Sequence, residues 1–345
     1  TGYSNTATGY YSLYSNTTGY WNTAVGNNCM PLNTIGYSNT AIGERSLYNN
    51  TTGNQNTASG LLSLYSNTSG SDNTAIGFNS LSSNTTGFYN TANGTNSLLS
   101  NTTGYNNTAI GSASLYSNTT GSWNTAAGQG SLSSNTTGYS NTANGYNSLY
   151  SNTTGYWNTG IGNNCLRNNT IGNRNTAIGE RSLYSNTTGI GNTSCGNESL
   201  YSNNTGIYNT SIGIYSLFSN TTGWYNTASG YACLYSNNGD RNTASGYQSL
   251  QSNTTGFGNT AMGQGSLFNN STGSDNTAVG IGAFYWGTYN NSTAIGNSSV
   301  ITASNQVRLG DSNVTSIGGY AGWTNLSDRR FKKDINYNSV PGLQF

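Results

Sequence analysis

Small and apolar residues recur along this chain at a fixed step of seventeen. The unit is seen best from Asn107 to Trp123: Asn-Thr-Ala-Ile-Gly-x-x-Ser-Leu-Tyr-Ser-Asn-Thr-Thr-Gly-x-x. Units open at Asn5 and at every seventeenth residue to Asn226, slip by one residue to Asn242, continue at Asn259 and Asn276, and slip again to a degenerate copy at Ser292. Across the eighteen copies the third position is Ala in fifteen, the fifth is always Gly and the ninth is Leu in fifteen. Such odd spacing is the period of a strand and not the ~3.6-residue period of a helix. The unit therefore predicts a short strand at Thr-Ala-Ile, a turn at Gly, a second strand at Ser-Leu-Tyr and a return turn at Asn-Thr-Thr-Gly. Gly supplies positive φ at the corners, and Asn and Thr side chains bond to the turn backbone.

A constant short period marks a solenoid, with each unit forming one coil. Coils stacked about 4.8 Å apart through parallel ladders would make eighteen copies into a rod on the order of 85 Å long. In that stack Asn39, Asn73 and Asn107 stand above their own copies, as do the Thr residues, in polar ladders. Gly43, Gly77, Gly111 and Gly179 turn the corners, while Leu13, Leu47, Leu64, Leu115, Leu149 and Leu183 line the interior. One Ala and one Leu per coil is a thin core. Burying a Leu yields about 1.5–3 kcal/mol, against about 1–2 kcal/mol for ordering each residue. Tyr-rich sites at positions six, seven, ten, sixteen and seventeen are expected to add burial by packing between chains, which points to a homo-oligomer.

The fold class expected is therefore all-β, a parallel β-roll or β-solenoid over residues 1–291. Residues 292–326 read as the last coil and a β transition that caps it, carrying Val300, Ile301, Val307, Leu309, Val314 and Ile317, with Arg308 and Asp311 placed to pair. Residues 327–345 form a separate C-terminal segment.

Composition alters this picture little. With 32% hydrophobic and 6% charged residues the chain resembles a disordered segment, but 27 Tyr and 6 Trp held in register argue against that. A net charge of +1 with no His excludes a broad nucleic-acid footprint. No apolar run approaches the ~20 residues of a membrane-spanning helix. The chain opens at Thr1 in mid-repeat, as a fragment or processed product would. No cofactor or metal is expected: the acids are isolated, and Cys29, Cys165, Cys195 and Cys233 lie 136, 30 and 38 residues apart, which fits no metal-ligand spacing. Cys29, Cys165 and Cys233 occupy the eighth position and read as small residues in a half-buried slot; Cys195 is at the fourth. Tyr20, Trp21, Tyr156, Trp157, Trp224 and Tyr225 are candidates for stacking on sugars or for packing between chains. Residues 3–53 closely match residues 139–189 at a spacing of 136, or eight coils, as in a shaft lengthened by copying blocks.

Two stretches carry resemblances. The Asn-Thr-Ala-Ile-Gly-x-x-Ser-Leu unit resembles the head repeat of trimeric autotransporter adhesins, which implies a left-handed parallel β-roll and a homotrimer, intertwined or side by side. Ser327 to Ile335, Ser-Asp-Arg-Arg-Phe-Lys-Lys-Asp-Ile, resembles the start of the intramolecular chaperone domain of endosialidase-type phage tail spikes and tail fibres. That resemblance implies self-cleavage before Ser327, with Ser327 as nucleophile and Lys332 as the base a hydroxyl needs. Without it, Arg329, Arg330, Lys332 and Lys333 read as a solvated basic face. Three readings follow: an extracellular structural fibre of a phage tail or phage-like particle that supports attachment to a cell-surface glycan or protein receptor, a bacterial trimeric surface adhesin, and an ice-binding solenoid built on the constant Thr of position two. None is an enzyme acting on an external substrate, and none inserts this chain into a membrane.

Overall fold

The computed structural model describes residues 2–317. Among the described residues the unit Thr1–Asp311 contains every strand, and of the second unit, which begins at Ser312, residues 312–317 carry no regular element. The protein is a parallel β-solenoid. Eighteen strands of three residues, one per repeat, run from β1 (Thr6–Thr8) to β18 (Thr293–Ile295), and each pairs in parallel with the next. Register is copy on copy. In β7 (Thr108–Ile110) and β8 (Thr125–Ala127), Thr108 faces Thr125, Ala109 faces Ala126 and Ile110 faces Ala127. The central Ala points inward and is fully buried, while Thr and the fourth-position residue point out, as the pleat requires.

The second strand expected at Ser-Leu-Tyr does not form. That segment is a turn in every regular coil, and its Leu holds a left-handed backbone, with φ of 50° at Leu47 and 49° at Leu115. The consequence is visible in burial: Ser46 and Leu47, neighbours in sequence, are both fully buried, which a pleated strand forbids. A left-handed Leu costs about 1–2 kcal/mol. Its side-chain burial, worth about 1.5–3 kcal/mol, offsets that cost, and its N–H is used, since Leu47 donates to the Ser63 carbonyl at 3.0 Å. The Ser slot is likewise deeper than expected, fully buried, with Ser46 Oγ donating to the Gly43 carbonyl at 3.0 Å.

Two rows of buried asparagines hold the coils in step. In the first, at position one, Asn107 Nδ2 donates to Asn90 Oδ1 at 3.1 Å and to the Gly121 carbonyl at 2.8 Å. Its own Oδ1 accepts from the backbone N–H and the Nδ2 of Asn124. The second row is at position twelve, which the sequence alone presents only as part of a turn. There Asn118 Nδ2 donates to Asn101 Oδ1 at 2.8 Å and to the Gly121 carbonyl at 3.0 Å, so both rows meet on one glycine carbonyl. Gly at the fifth position is needed for a different reason. Gly111 has φ of 119°, and a Cβ there would stand 2.8 Å from the Gly128 carbonyl carbon of the next coil.

The one-residue slips fall at the return turn. Where the coil from Asn226 is short, Asn238 Oδ1 accepts the Thr221 N–H at 2.7 Å, a bond that a backbone carbonyl accepts in full-length coils. After the second slip the position-twelve row ends, because the next coil carries Gly287 there, and Asn270 Oδ1 is left without a protein partner. The coil from Ser292 stays in register, and β19 (Val307–Leu309) adds one further rung against β18. The regular stack thus runs past residue 291. Ile301 is buried in the core, while Val300, which stands at the Leu position of the repeat, is exposed.

Replacing Asn107 by Ala should strand the Asn124 N–H and weaken the shared Gly121 carbonyl, costing on the order of 2–4 kcal/mol. Replacing the half-exposed Thr108 next to it by Ala should change stability by no more than about 0.5 kcal/mol. Urea unfolding of the two variants, with hydrogen exchange to localise the damage to the adjoining coils, checks this contrast.

Candidate functional site

The described coils present their outward side chains in repeated rows. The sheet face carries two of them. One is Thr at position two in all eighteen coils; the other is position four, where ten of eighteen residues are Ile, Val or Met. These apolar side chains are well exposed, Ile110 at 48% and Met262 at 50%. No side chain in either row is charged. Charges lie at other corners, as in Arg181, which meets Glu198 of the next coil at 3.3 Å.

Aromatic residues border this face on both sides, at position six and at positions sixteen and seventeen. They stack along the axis because coil spacing matches ring spacing. Tyr20 lies between Tyr3 and Tyr37, with centroids 5.0 Å away on each side and planes within 4° of parallel. Trp21 meets Tyr20 edge-on at 5.1 Å. Tyr156 stacks on Tyr139 at 4.9 Å, and Trp157 is covered by the Arg174 guanidinium at 4.9 Å. Trp224 sits under Arg241 at 4.6 Å, and Tyr225 stacks on Tyr208 at 5.2 Å. A sugar stacks on an open ring face. Both faces of Tyr20 are taken by its own copies, and Trp157 and Trp224 each give a face to an Arg, while Trp21, Trp157 and Tyr225 stay about half exposed, at 59%, 48% and 51%. An open groove that sequence reasoning did not single out lies at the second slip, lined by Gly282, Tyr285, Trp286, Ser298 and Val300.

The structural candidates fall where expected: Leu47, Leu64, Leu115, Leu149 and Leu183 are fully buried, Leu13 nearly so at the first coil, and Asn39, Asn73 and Asn107 are fully buried in their row. Ser327 and Lys332, with the whole segment 327–345, lie outside the described residues. Among the described residues no cluster of His, Cys, Asp or Glu could hold a metal, and no helix is long and apolar enough to cross a membrane.

Three thiols are interior. Cys165 Sγ donates to the Ala177 carbonyl at 3.0 Å, and Cys29 Sγ donates to the Ala41 carbonyl and contacts Ser46 Oγ, both at 3.1 Å. Burial pushes Cys165 and Cys233 up to about 12, and pushes Cys29 upward too, against its hydrogen bonds. The slot is therefore fully closed rather than half-buried. Cys195, on the outer sheet row, is the exposed thiol.

No protein-family model and no curated protein matches this chain.

The thiol shifts set a pH dependence. The folded chain keeps the Cys165 and Cys233 protons to about 12, whereas an unfolded thiol releases its proton from about 9 upward. Their contribution is complete below pH 9 and is lost as pH rises toward 12. At pH 11 the loss should be on the order of 2–3 kcal/mol per thiol. Urea midpoints of the wild type should fall between pH 8 and pH 11 more steeply than those of a Cys165→Ser, Cys233→Ser double variant, whose hydroxyls repeat the usual residue of the slot.

Proposed function

We propose that this chain is the shaft of an extracellular fibre that holds an attachment tip away from a virion tail or a cell surface. The observation that carries the reading is the in-register stack of eighteen coils on nearly constant buried Asn and Leu rows. Such a stack grows by whole coils without disturbing its ends, and the near-copy of eight coils within the sequence fits a length set that way. The residues from Ser327 to Ile335 favour a phage tail fibre over a bacterial surface adhesin, with release of the following segment by Ser327 and Lys332 belonging to the same reading. On this view attachment to a glycan or protein receptor belongs to the tip, and the shaft supplies reach.

The exposed Thr row favours one second reading, binding to ordered water at an ice surface. Against it stands the neighbouring row, where Ile, Ser, Asn, Ala, Cys and Met alternate without a lattice. Absence of ice recrystallisation inhibition at micromolar protein is the expected result.

Removing the eight coils from Asn22 to Trp157 joins position seventeen to position one and should shorten the rod by about 38 Å in electron micrographs. Particles carrying the shortened chain should still bind their host cells. Loss of cell binding by a folded, shortened rod would place the receptor site on the shaft itself and sink the spacer reading.

A further inference from the structure

The sheet face is wrong for a lone rod in water. It is continuous over eighteen coils and free of charge, and its fourth-position row exposes branched apolar side chains at 40% or more in Ile42, Ile76, Ile110, Ile161, Ile178 and Ile212. The Thr row beside it is no better supplied, since among the described residues no position-two Thr donates its hydroxyl within the chain. By contrast the position-thirteen Thr residues donate theirs, as Thr119 does to the Thr136 carbonyl at 3.1 Å.

From this face we infer that two copies of the chain pair sheet on sheet along their length. Three arguments select a second copy. The first is length: eighteen rungs at about 4.8 Å make a strip of roughly 86 Å, which an identical rod matches from end to end and a compact partner does not. The second is area, because a strip three residues wide, about 10 Å, offers roughly 850 Å² per chain, close to the ~800 Å² per partner of a stable interface. The third is complementarity. A two-fold axis along the rod sets each rung against the same rung and lays the Thr row of one copy over the fourth-position row of the other. Thr methyls then meet Ile and Val, and Thr hydroxyls meet the polar rungs Ser59, Asn93, Asn144 and Ser229. The exposed aliphatic row occurs on this one side of the coil. A self-complementary patch of that kind closes at two, whereas a ring of three needs two different surfaces on each chain.

This inference deepens the shaft reading and rests on it, but its test reads mass and thiol access, so either can fail without the other. The chain carries its own reporter. Cys195 lies in the fourth-position row between Ile178 and Ile212 of the adjoining strands, and the other three thiols are buried. Light scattering of the full chain should give twice 36.2 kDa, and Cys195 should react with a maleimide at least about tenfold more slowly than in the unfolded chain. Ile76→Lys with Ile110→Lys places charge on the face without touching the core. It should give single-chain mass and a fast Cys195 with an unchanged circular dichroism spectrum. Thr120→Lys with Thr137→Lys, on the exposed return turn, should leave the pair intact. A wild-type mass of one or three chains, or a Cys195 that reacts freely in a larger particle, overturns the pairing. Should the lysine variant fail to fold, wild-type mass and thiol rate decide alone.

Discussion

A side-chain amide sealed inside a dry coil has two N–H groups and a carbonyl to satisfy, and here the neighbouring copies and one glycine carbonyl satisfy them. Leaving such groups unpaired costs a few kcal/mol each. Two rows of Asn therefore demand that every coil bring the same atoms to the same height, and most other features follow. Coil length is constant because a one-residue shift would carry each amide off its partner. Where the chain first drops a residue, it does so at the return turn beside Asn238, whose side-chain oxygen takes over the lost acceptor. The Gly corners, stacked at contact distance, accept no side chain for the same reason of height.

Much of this was legible in the residues themselves. Period, strand position, Gly corners and the first Asn row all follow from which positions never vary between copies. The Ser-Leu segment was not legible, because alternation of small and apolar residues looks the same whether a strand or a left-handed turn produces it. Only the burial of Ser46 and Leu47 together separates the two. Asn118 and its copies are nearly as constant as Asn107 and its copies, but a turn-forming explanation for Asn is sufficient and conceals the second row. Many aromatic corners stack on their own copies, since a spacing near 5 Å suits ring stacking as well as it suits strand pairing, and rings such as Trp21 and Tyr225 still stand about half exposed.

The result inverts a common arrangement, with uncharged amides and hydroxyls filling much of the interior and Ile, Tyr and Trp well represented outside. Interior rows allow almost no variation, and positions four, six, seven, sixteen and seventeen vary freely. Length and surface are thus separate properties of this chain, the first set by how many coils are copied and the second by what each coil displays. That separation suits a spacer, whose reach and whose contacts answer to different demands.

The Asn rows also have a direction. In both, each Nδ2 points toward the lower-numbered coil and each Oδ1 toward the higher, as from Asn107 to Asn90 and from Asn118 to Asn101. Each row is thus a chain of amides threaded one way, and the position-twelve row ends at its high-numbered side on the bare Asn270 Oδ1. A stack whose side chains repeat from coil to coil therefore still has two unlike ends, and a partner fitted to one is not fitted to the other.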